Sequence, residues 1–159
     1  MCEYCGCQAL ESIDALTREH EQVLALIRDV RDARLADDVA RQANLACRIT
    51  AILRPHTLVE EQGLFPALAP DFPGQIARLE AEHRLIEGPL AEAARAAGEG
   101  AIPADPAWPG RLTQALALLR EHIFKEQDGV FPAALATLST ADWEKMDAAR
   151  LAAAALSAG

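Results

Sequence analysis

The stretch HTLVEEQGLFPAL, residues 56–68, has a near copy in HIFKEQDGVFPAA, residues 122–134. In each copy a glutamate follows a histidine by four residues, and a Gly-x-Phe-Pro-Ala sequence comes after it. In an α-helix this separation places the two side chains on adjacent turns of one face. The repetition therefore predicts two helices that present the same pair of polar groups in the same way.

The remainder of the chain predicts an all-α fold. Its 159 residues are 51% hydrophobic but only 4% aromatic, and alanine and leucine dominate, which is typical of helical proteins. Apolar residues recur at helical spacing in four long segments and one short C-terminal segment. We predict an antiparallel up-down-up-down four-helix bundle with a short fifth C-terminal helix, formed by residues 11–159 and preceded by a cysteine-containing tail, residues 1–10.

Capping and breaking residues give the expected ends of these helices. Ser12 is expected to cap the first helix, and Asp37 or Asp38 the second. In the second helix, Gly63 and Pro66 mark either a kink or an end. The fifth helix should begin after a cap at residue 139 or 140.

Charge and hydropathy exclude several classes of function. The formal net charge is -9, and the 15 Lys and Arg residues form no basic cluster, so a nucleic-acid partner is not expected. There is no signal-peptide pattern, and no run of about 18 apolar residues that could cross a membrane. We therefore expect a cytoplasmic protein with neither nucleic acid nor membrane as its partner.

Three of the four cysteines, Cys2, Cys5 and Cys7, lie too close together in sequence to cross-link distant parts of the fold. This CxxCxC tail is either a metal or redox segment or a frayed terminus with exposed thiols. In the first case it would serve a redox partner, or exchange electrons, nitrosyl groups or iron with a metal centre. Cys47 is expected to pack as a small apolar residue on the second helix.

The chain has four histidines, and each long helix carries one: His20, His56, His83 and His122. Alone, a histidine on an apolar stripe is usually a hydrogen-bonded core residue, and a His–Glu pair one turn apart is usually a surface contact. Here all four histidines interrupt apolar stripes near the middle of their helices. In an antiparallel bundle they can therefore meet in one layer.

A second repeat relates the first and third helices. The sequence REHEQVLALI around His20 is similar to AEHRLIEGPL around His83, and each has a glutamate directly before the histidine. The two repeats, with offsets of 63 and 66 residues, divide the chain into two tandem helical hairpins. A pseudo-twofold site at their interface would suit two like metal ions, one for each half.

The carboxylates of the repeated motif also favour a metal site. Glu60 and Glu126 fall on inward faces, where an uncompensated charge costs several kcal/mol, and no Lys or Arg occupies a matching inward position. Metal cations would offset this charge. Imidazoles together with carboxylates suit iron, manganese or zinc, and iron is favoured where open coordination positions are wanted.

At these residues the chain resembles the hemerythrin-like, or HHE cation-binding, family over essentially the four long helices. The resemblance rests on His20 followed by Glu21, and on HTLVE at His56, EH at His83 and HIFKE at His122. It implies a bundle that holds two iron ions in a non-haem di-iron centre with an oxo or hydroxo bridge, for which zinc or manganese are possible substitutes. The implied ligands are His20 and His56 on one iron, His83 and His122 on the other, and Glu60 and Glu126 bridging both.

Two departures separate the chain from the oxygen-carrying hemerythrins. Those proteins have a second histidine four residues after the one on the third helix, where this chain has Glu87. They also place a bridging aspartate five residues after the histidine of the fourth helix, whereas Glu126 follows by four. The ligand set is closest to that of the iron-sulfur-cluster repair di-iron proteins, which implies a function other than reversible oxygen transport. Glu87 is then either an additional ligand or a solvated side chain.

The expected function is binding of, or reaction with, oxygen, nitric oxide or peroxide in oxidative or nitrosative stress response. As an enzyme the protein would decompose hydrogen peroxide or reduce nitric oxide. As a binding module it would sense oxygen or nitric oxide, or store and deliver iron without turnover. A metal-free helical interaction module is a further alternative. Around the metals, Phe65, Phe124 and Phe131 are expected to form an apolar shell that limits water.

Overall fold

Helices account for most of residues 6–158, the part of the chain that the structure, a computed structural model, describes. Two π-helical turns, Glu60–Leu64 and Glu126–Val130, each join two α-helices without a break. The described residues thus form five helical rods and no strand, which confirms the predicted all-α class. The α-helices are α1 (Cys7–Leu35), α2 (Val39–Val59), α3 (Phe65–Leu68), α4 (Pro73–Gly98), α5 (Trp108–Lys125), α6 (Phe131–Thr137) and α7 (Thr140–Ser157).

Both π-helical turns begin at the glutamate of the repeated motif and end just before its Phe-Pro pair. The backbone N–H of Phe65 donates to the carbonyl of Glu60, and that of Phe131 donates to the carbonyl of Glu126. The next residue in each motif is a proline, whose ring in a regular α-helix would clash with the carbonyl four residues earlier. The wider π-helical turn avoids this clash. The helical rod therefore continues through each motif. Of the two alternatives that the sequence left open for Gly63 and Pro66, a kink or an end, the end of the helix is excluded.

Two of the predicted helix caps are confirmed. At the start of α2, the side chain of Asp38 accepts a hydrogen bond from the backbone N–H of Arg41. At the start of α7, Ser139 forms a capping box with Asp142, in which each side chain accepts from the backbone of the other residue. Such caps satisfy N–H groups that have no partner within the helix.

The prediction that Ser12 caps the first helix was wrong. α1 begins at Cys7, and Ser12 is buried inside the helix, where its hydroxyl donates to the carboxylate of Asp147 on α7. A serine can be a cap or an interior residue, and here its tertiary partner on another helix favours the interior position.

Two apolar clusters fill the interior, and the four histidines lie between them. On α1, Leu16 belongs to one cluster and Val23 to the other, with His20 between them in sequence. The other long rods repeat this arrangement, so apolar side chains enclose the polar layer from both ends. Their corresponding residues are Ile49, His56 and Val59 on α2, Leu79, His83 and Ile86 on α4, and Leu119, His122 and Phe131 on α5 and α6.

The last helix, α7, packs on α2 and on the first π-helical turn. Its Trp143 and Met146 are buried in the cluster that contains Leu16. A Cβ atom added at Gly63 would lie 2.9 Å from Cγ and 3.0 Å from Cα of Met146. A larger residue than glycine would therefore displace Met146 at this crossing, since real Cβ atoms do not approach other heavy atoms so closely.

No helix within residues 6–158 is long and apolar enough to cross a membrane.

Candidate metal centre

Six polar side chains meet in the layer between the apolar clusters. None is more than 6% exposed, and Glu60 and Glu126 are completely buried. The two glutamates are the first residues of the two π-helical turns, and the histidines come from four different helices. All six are the residues that the sequence singled out: His20, His56, Glu60, His83, His122 and Glu126.

The donor atoms of these side chains lie within contact distance of one another. Nε2 of His56 is 2.8 Å from Oε1 of Glu60, and Nε2 of His83 is 3.2 Å from Oε2 of the same carboxylate. Oε1 of Glu126 lies 3.4 Å from Nε2 of His20 and 3.1 Å from Nε2 of His122. Each carboxylate therefore reaches one histidine from each helical hairpin.

The histidines form two pairs. The ring centroids of His20 and His56 are 4.7 Å apart, and those of His83 and His122 are 4.6 Å apart. Two sets of donor atoms are close enough together to share a metal ion, and Glu60 belongs to both. These sets are His20, His56, Glu60 and Glu126, and Glu60, His83 and His122.

Each imidazole is also held at its outer nitrogen, Nδ1, by an oxygen from a different helical rod. An Nδ1–H that donates to this oxygen fixes the ring and leaves Nε2 facing the layer. Sequence reasoning missed these partners, although it had noted the glutamates that precede His20 and His83. The contacts join Nδ1 of His20 to Oε1 of Gln127 (3.0 Å), His56 to Glu19 (3.2 Å), His83 to Glu61 (2.9 Å) and His122 to Glu82 (2.7 Å).

A basic side chain forms an ion pair with each of the three outer carboxylates. Arg150 of α7 donates to Glu19 at 2.9 Å, Arg84 donates to Glu61 at 2.9 Å, and Lys125 contacts Glu82. Burial opposes the charge of Glu19 and Glu82, but their histidine and cation partners outweigh it and lower the pKa of both. Glu19 and Glu82 are therefore ionised near neutral pH.

The inner carboxylates change the acidity of the histidines. Burial disfavours a charged imidazole, but the negative charge of Glu60 outweighs this and raises the pKa of His56 to about 10. For His122, burial is likewise outweighed, chiefly by Glu126, and the pKa rises to about 9. In turn, His56 holds the pKa of Glu60 well below its usual range despite burial. In the absence of another cation, protons on His56 and His122 offset negative charge in this layer.

A family model described as the hemerythrin HHE cation binding domain matches residues 11–134. The chain belongs to the hemerythrin HHE cation-binding domain family. The match includes all six side chains of the centre and ends before α7. Comparisons with curated proteins and with solved structures found no match.

The donor set of this hemerythrin-like domain fits metal cations. Among the described residues, both oxygens of Glu60, both oxygens of Glu126 and Nε2 of His20 are buried without a well-directed hydrogen bond. Such atoms are costly to bury unless a cation or another partner satisfies them. Nε2 of His83 and Nε2 of His122 also face each other at 3.0 Å. Two neutral rings that both turned a lone pair toward this contact would repel, whereas a proton or a metal ion bound there is attracted to both nitrogens.

Two of the three expected phenylalanines line the centre. Phe131 stacks on His20 with ring centroids 5.4 Å apart, and Phe65 stacks on His83 at 5.6 Å. The prediction for Phe124 was wrong. Its ring is 41% exposed and lies under the guanidinium of Arg120.

A cavity of about 470 Å³, mainly between α2 and α4, connects the centre of this hemerythrin-like domain with its surface. All six donor side chains line its inner part, and the exposed residues Arg54, Arg84 and Glu87 line its outer part. Arg84 forms an ion pair with Glu87 at 3.4 Å. Glu87 therefore lies at the mouth of the cavity and outside the cluster of six.

The cysteines lie away from the centre as far as the structure describes them. Cys2 and Cys5 fall outside the described residues, so the predicted CxxCxC site stays a prediction. Cys7 is the exposed first residue of α1. Cys47 is half-buried and packs against the core, as predicted for a small apolar residue.

Proposed function

We propose that this hemerythrin-like domain holds two iron ions and binds, or reacts with, oxygen, nitric oxide or peroxide in oxidative or nitrosative stress response. The observation that carries the proposal is the convergence of four Nε2 atoms and two buried carboxylates. In this assignment His20 and His56 hold one ion, His83 and His122 hold the other, and Glu60 and Glu126 bridge both. Zinc or manganese would be substitutes.

The charge of the layer supports a metal pair. Two completely buried carboxylates cost several kcal/mol each as anions without compensation. The nearby basic side chains that the structure describes pair with the outer carboxylates or with Glu87, and not with these two. Neutral imidazoles and carboxylates together are donors that suit iron. Because Nδ1 of each ring is already engaged, Nε2 is the atom that takes either a proton or a metal ion.

The arrangement also favours a bound small molecule. Six side chains shared between two ions leave each with fewer than six protein donors, and when bound, iron would supply redox chemistry and open coordination positions. The cavity gives a diatomic molecule or a peroxide a path from the surface to these coordination positions. Phe65 and Phe131 cover the rings of His83 and His20 and limit the access of water from their side.

The environment of Glu87 supports a function other than that of the oxygen-carrying hemerythrins. Glu87 is exposed and paired with Arg84, so we assign it no ligand role. The resulting set of four histidines and two glutamates is that of the iron-sulfur-cluster repair di-iron proteins. We also propose a cytoplasmic location, and a redox partner that would use Cys2, Cys5 and Cys7.

The order of the apolar clusters supports the antiparallel up-down-up-down arrangement. Along α1 the chain passes from the cluster of Leu16 to that of Val23, and α4 passes in the same order from Leu79 to Ile86. Along α2, and along the rod that α5 and α6 form together, the order is reversed. Alternating directions of this kind are those of an up-down-up-down bundle.

Metal analysis of three variants tests the proposed centre. Protein from iron-replete cells should hold close to two irons per chain and absorb in the near ultraviolet through charge transfer. Glu60→Ala and Glu126→Ala should lose iron, because each removes a carboxylate shared by both ions. Glu87→Ala, a glutamate at the cavity mouth, should keep its full iron content. Metal-free wild-type protein, or full iron in either inner-carboxylate variant, would refute the assignment.

Turnover measurements distinguish an enzyme from a binding module. Iron-loaded protein that consumes many equivalents of hydrogen peroxide or nitric oxide is an enzyme. Stoichiometric binding with an optical change, but without turnover, would support a sensor or a store of iron.

A further inference from the structure

The contacts around the centre repeat between the two halves of the chain. In each half, the glutamate before the first histidine contacts Nδ1 of the second histidine. The residue after the bridging glutamate contacts Nδ1 of the first histidine in the other half. The equivalent positions are Glu19 and Glu82, His20 and His83, His56 and His122, Glu60 and Glu126, and Glu61 and Gln127.

One pair of these equivalent residues differs in charge. Glu61 presents a carboxylate oxygen 2.9 Å from Nδ1 of His83, whereas Gln127 presents an amide oxygen 3.0 Å from Nδ1 of His20. The geometry of the two contacts is therefore nearly the same, while the acceptor is a carboxylate oxygen in one and an amide oxygen in the other.

The other contacts of His20 and His83 are similar in the two halves of the chain. Each ring stacks on the phenylalanine of a Phe-Pro pair, with centroids 5.4 Å apart for Phe131 and 5.6 Å for Phe65. Nε2 of each ring also faces the inner carboxylate that belongs to the other half of the chain. The acceptor at Nδ1 is thus the main chemical difference between the two rings: it is an amide at His20, and at His83 it is a carboxylate that Arg84 also contacts.

We propose that Gln127 makes the two metal positions inequivalent, so that the ion held by His20 and His56 accepts the first electron from a one-electron reductant. This inference rests on the proposed di-iron function. Gln127 is a positioning residue, because it acts on the metal through the ring of His20. The electron converts one ferric ion to a ferrous ion, and no bond of the protein breaks.

The physical reason is the donor strength of the imidazole. A carboxylate that accepts from Nδ1–H forms a charge-assisted hydrogen bond, about twice as strong as a neutral one, and makes Nε2 a more basic ligand. Stronger donors stabilise ferric iron over ferrous iron. His83 and His122 both contact carboxylates, whereas the other pair has only the carboxylate at His56. The position of His20 therefore retains ferrous iron more readily.

Substitutions between Gln and Glu test the inference because they change charge without changing shape. Gln127→Glu should lower the potential of the first reduction, whereas Glu61→Gln, which acts on the other ion through His83, should raise the potential of the second. A tenfold change in the preference for ferric over ferrous iron corresponds to about 59 mV for one electron, and a shift of that order is expected. Reductive titration of iron-loaded protein, followed optically, measures both potentials.

Mössbauer spectra give a second reading of the same difference. The diferric wild-type protein should show two distinct iron environments, which become nearly alike in Gln127→Glu and in Glu61→Gln. The double variant has the net charge of the wild type, and its two signals should separate again. Glu21→Gln is the control. Glu21 is exposed and follows His20 in sequence, so removing its charge should change neither the potential nor the spectrum.

The outcomes separate the inference from the proposed function. With two irons bound in wild type and variants, unchanged potentials, or shifts of the same sign in both single variants, would overturn the role of Gln127 and leave the di-iron centre standing. A wild-type protein that binds no iron would overturn both. Potentials that shift in opposite directions in the two single variants, together with Mössbauer signals that merge, support the inference. If one single variant loses iron, the potential and the spectrum of the other are sufficient for the test.

Discussion

At the residue scale, the outer contact of each imidazole determines how well its inner nitrogen can bind a metal. The ring of His122 is held by Glu82 at 2.7 Å, the shortest of the four Nδ1 contacts described. This carboxylate fixes the tautomer and the orientation of the ring. The affinity of the centre for metal cations should thus depend on residues outside the set of six donors.

Glu82→Ala is expected to weaken metal binding by about 10- to 100-fold, because His122 loses the acceptor that orients it. Competition with a chelator of known affinity measures this change. Glu121→Ala is the matched control, since Glu121 precedes His122 in sequence but is exposed. Equal affinities for the two variants would contradict a role of Glu82 in holding the ring.

The six inner residues could be predicted from the sequence, but their outer partners could not. A spacing of four residues fixes the relation of histidine and glutamate within one helix, and the repetition revealed the second copy. An outer contact joins two helices, so it depends on how each helix is rotated against its neighbour. The missed residues are Glu19, Glu61, Glu82 and Gln127, of which only Glu19 and Glu82 left a signal, as the glutamates before the repeated histidines.

At the scale of the secondary-structure element, the π-helical turns place the glutamates of the centre. The sequence marked both positions through Gly-x-Phe-Pro, but it could not distinguish a kink, an end and a π-helical turn. That distinction depends on which carbonyl the N–H of Phe65 selects, and tertiary packing takes part in the choice. The contact of α7 with the centre was also missed, since its Arg150 reaches Glu19 only in the folded molecule.

Gly63 and Gly129 occupy equivalent positions in the two π-helical turns and provide a matched pair of variants. Gly63→Ala should lower the free energy of unfolding by about 1–3 kcal/mol, because the new methyl group would meet Met146. Gly129→Ala meets nothing within 4 Å and should leave stability unchanged, or raise it by about 0.5–1 kcal/mol through helix propensity. Chemical denaturation measures both. Equal destabilisation by the two variants would contradict the packing of α7 against this turn.

At the scale of the whole molecule, a charged layer lies between two apolar clusters, so folding and cation binding are linked. Iron that binds only the folded protein stabilises it by about 2.7 kcal/mol at a free concentration 100 times its dissociation constant. In the metal-free protein, protons on the histidines take over part of this role. The stability of the metal-free protein must then depend on pH.

The metal-free protein should become less stable as the pH rises from about 6.5 to 10. The pKa of His56 is raised from 6.5 to about 10 and that of His122 to about 9, so their contribution is complete below pH 6.5 and disappears as the folded protein loses these protons. Below pH 4.5 stability should fall again, since the pKa of Glu60 is lowered in the folded state. Thermal denaturation across this range measures the effect. A constant or rising melting temperature between pH 7 and 10 would contradict these proton sites, and iron-loaded protein should change less.

The convergence of six side chains on two metal ions is tested most directly by anomalous diffraction at the iron edge, from crystals of the iron-loaded protein. We predict two anomalous peaks in each chain, one beside Nε2 of His20 and His56 and the other beside Nε2 of His83 and His122, with Glu60 and Glu126 between them. No peak at this layer, or a single one, would contradict the di-iron assignment.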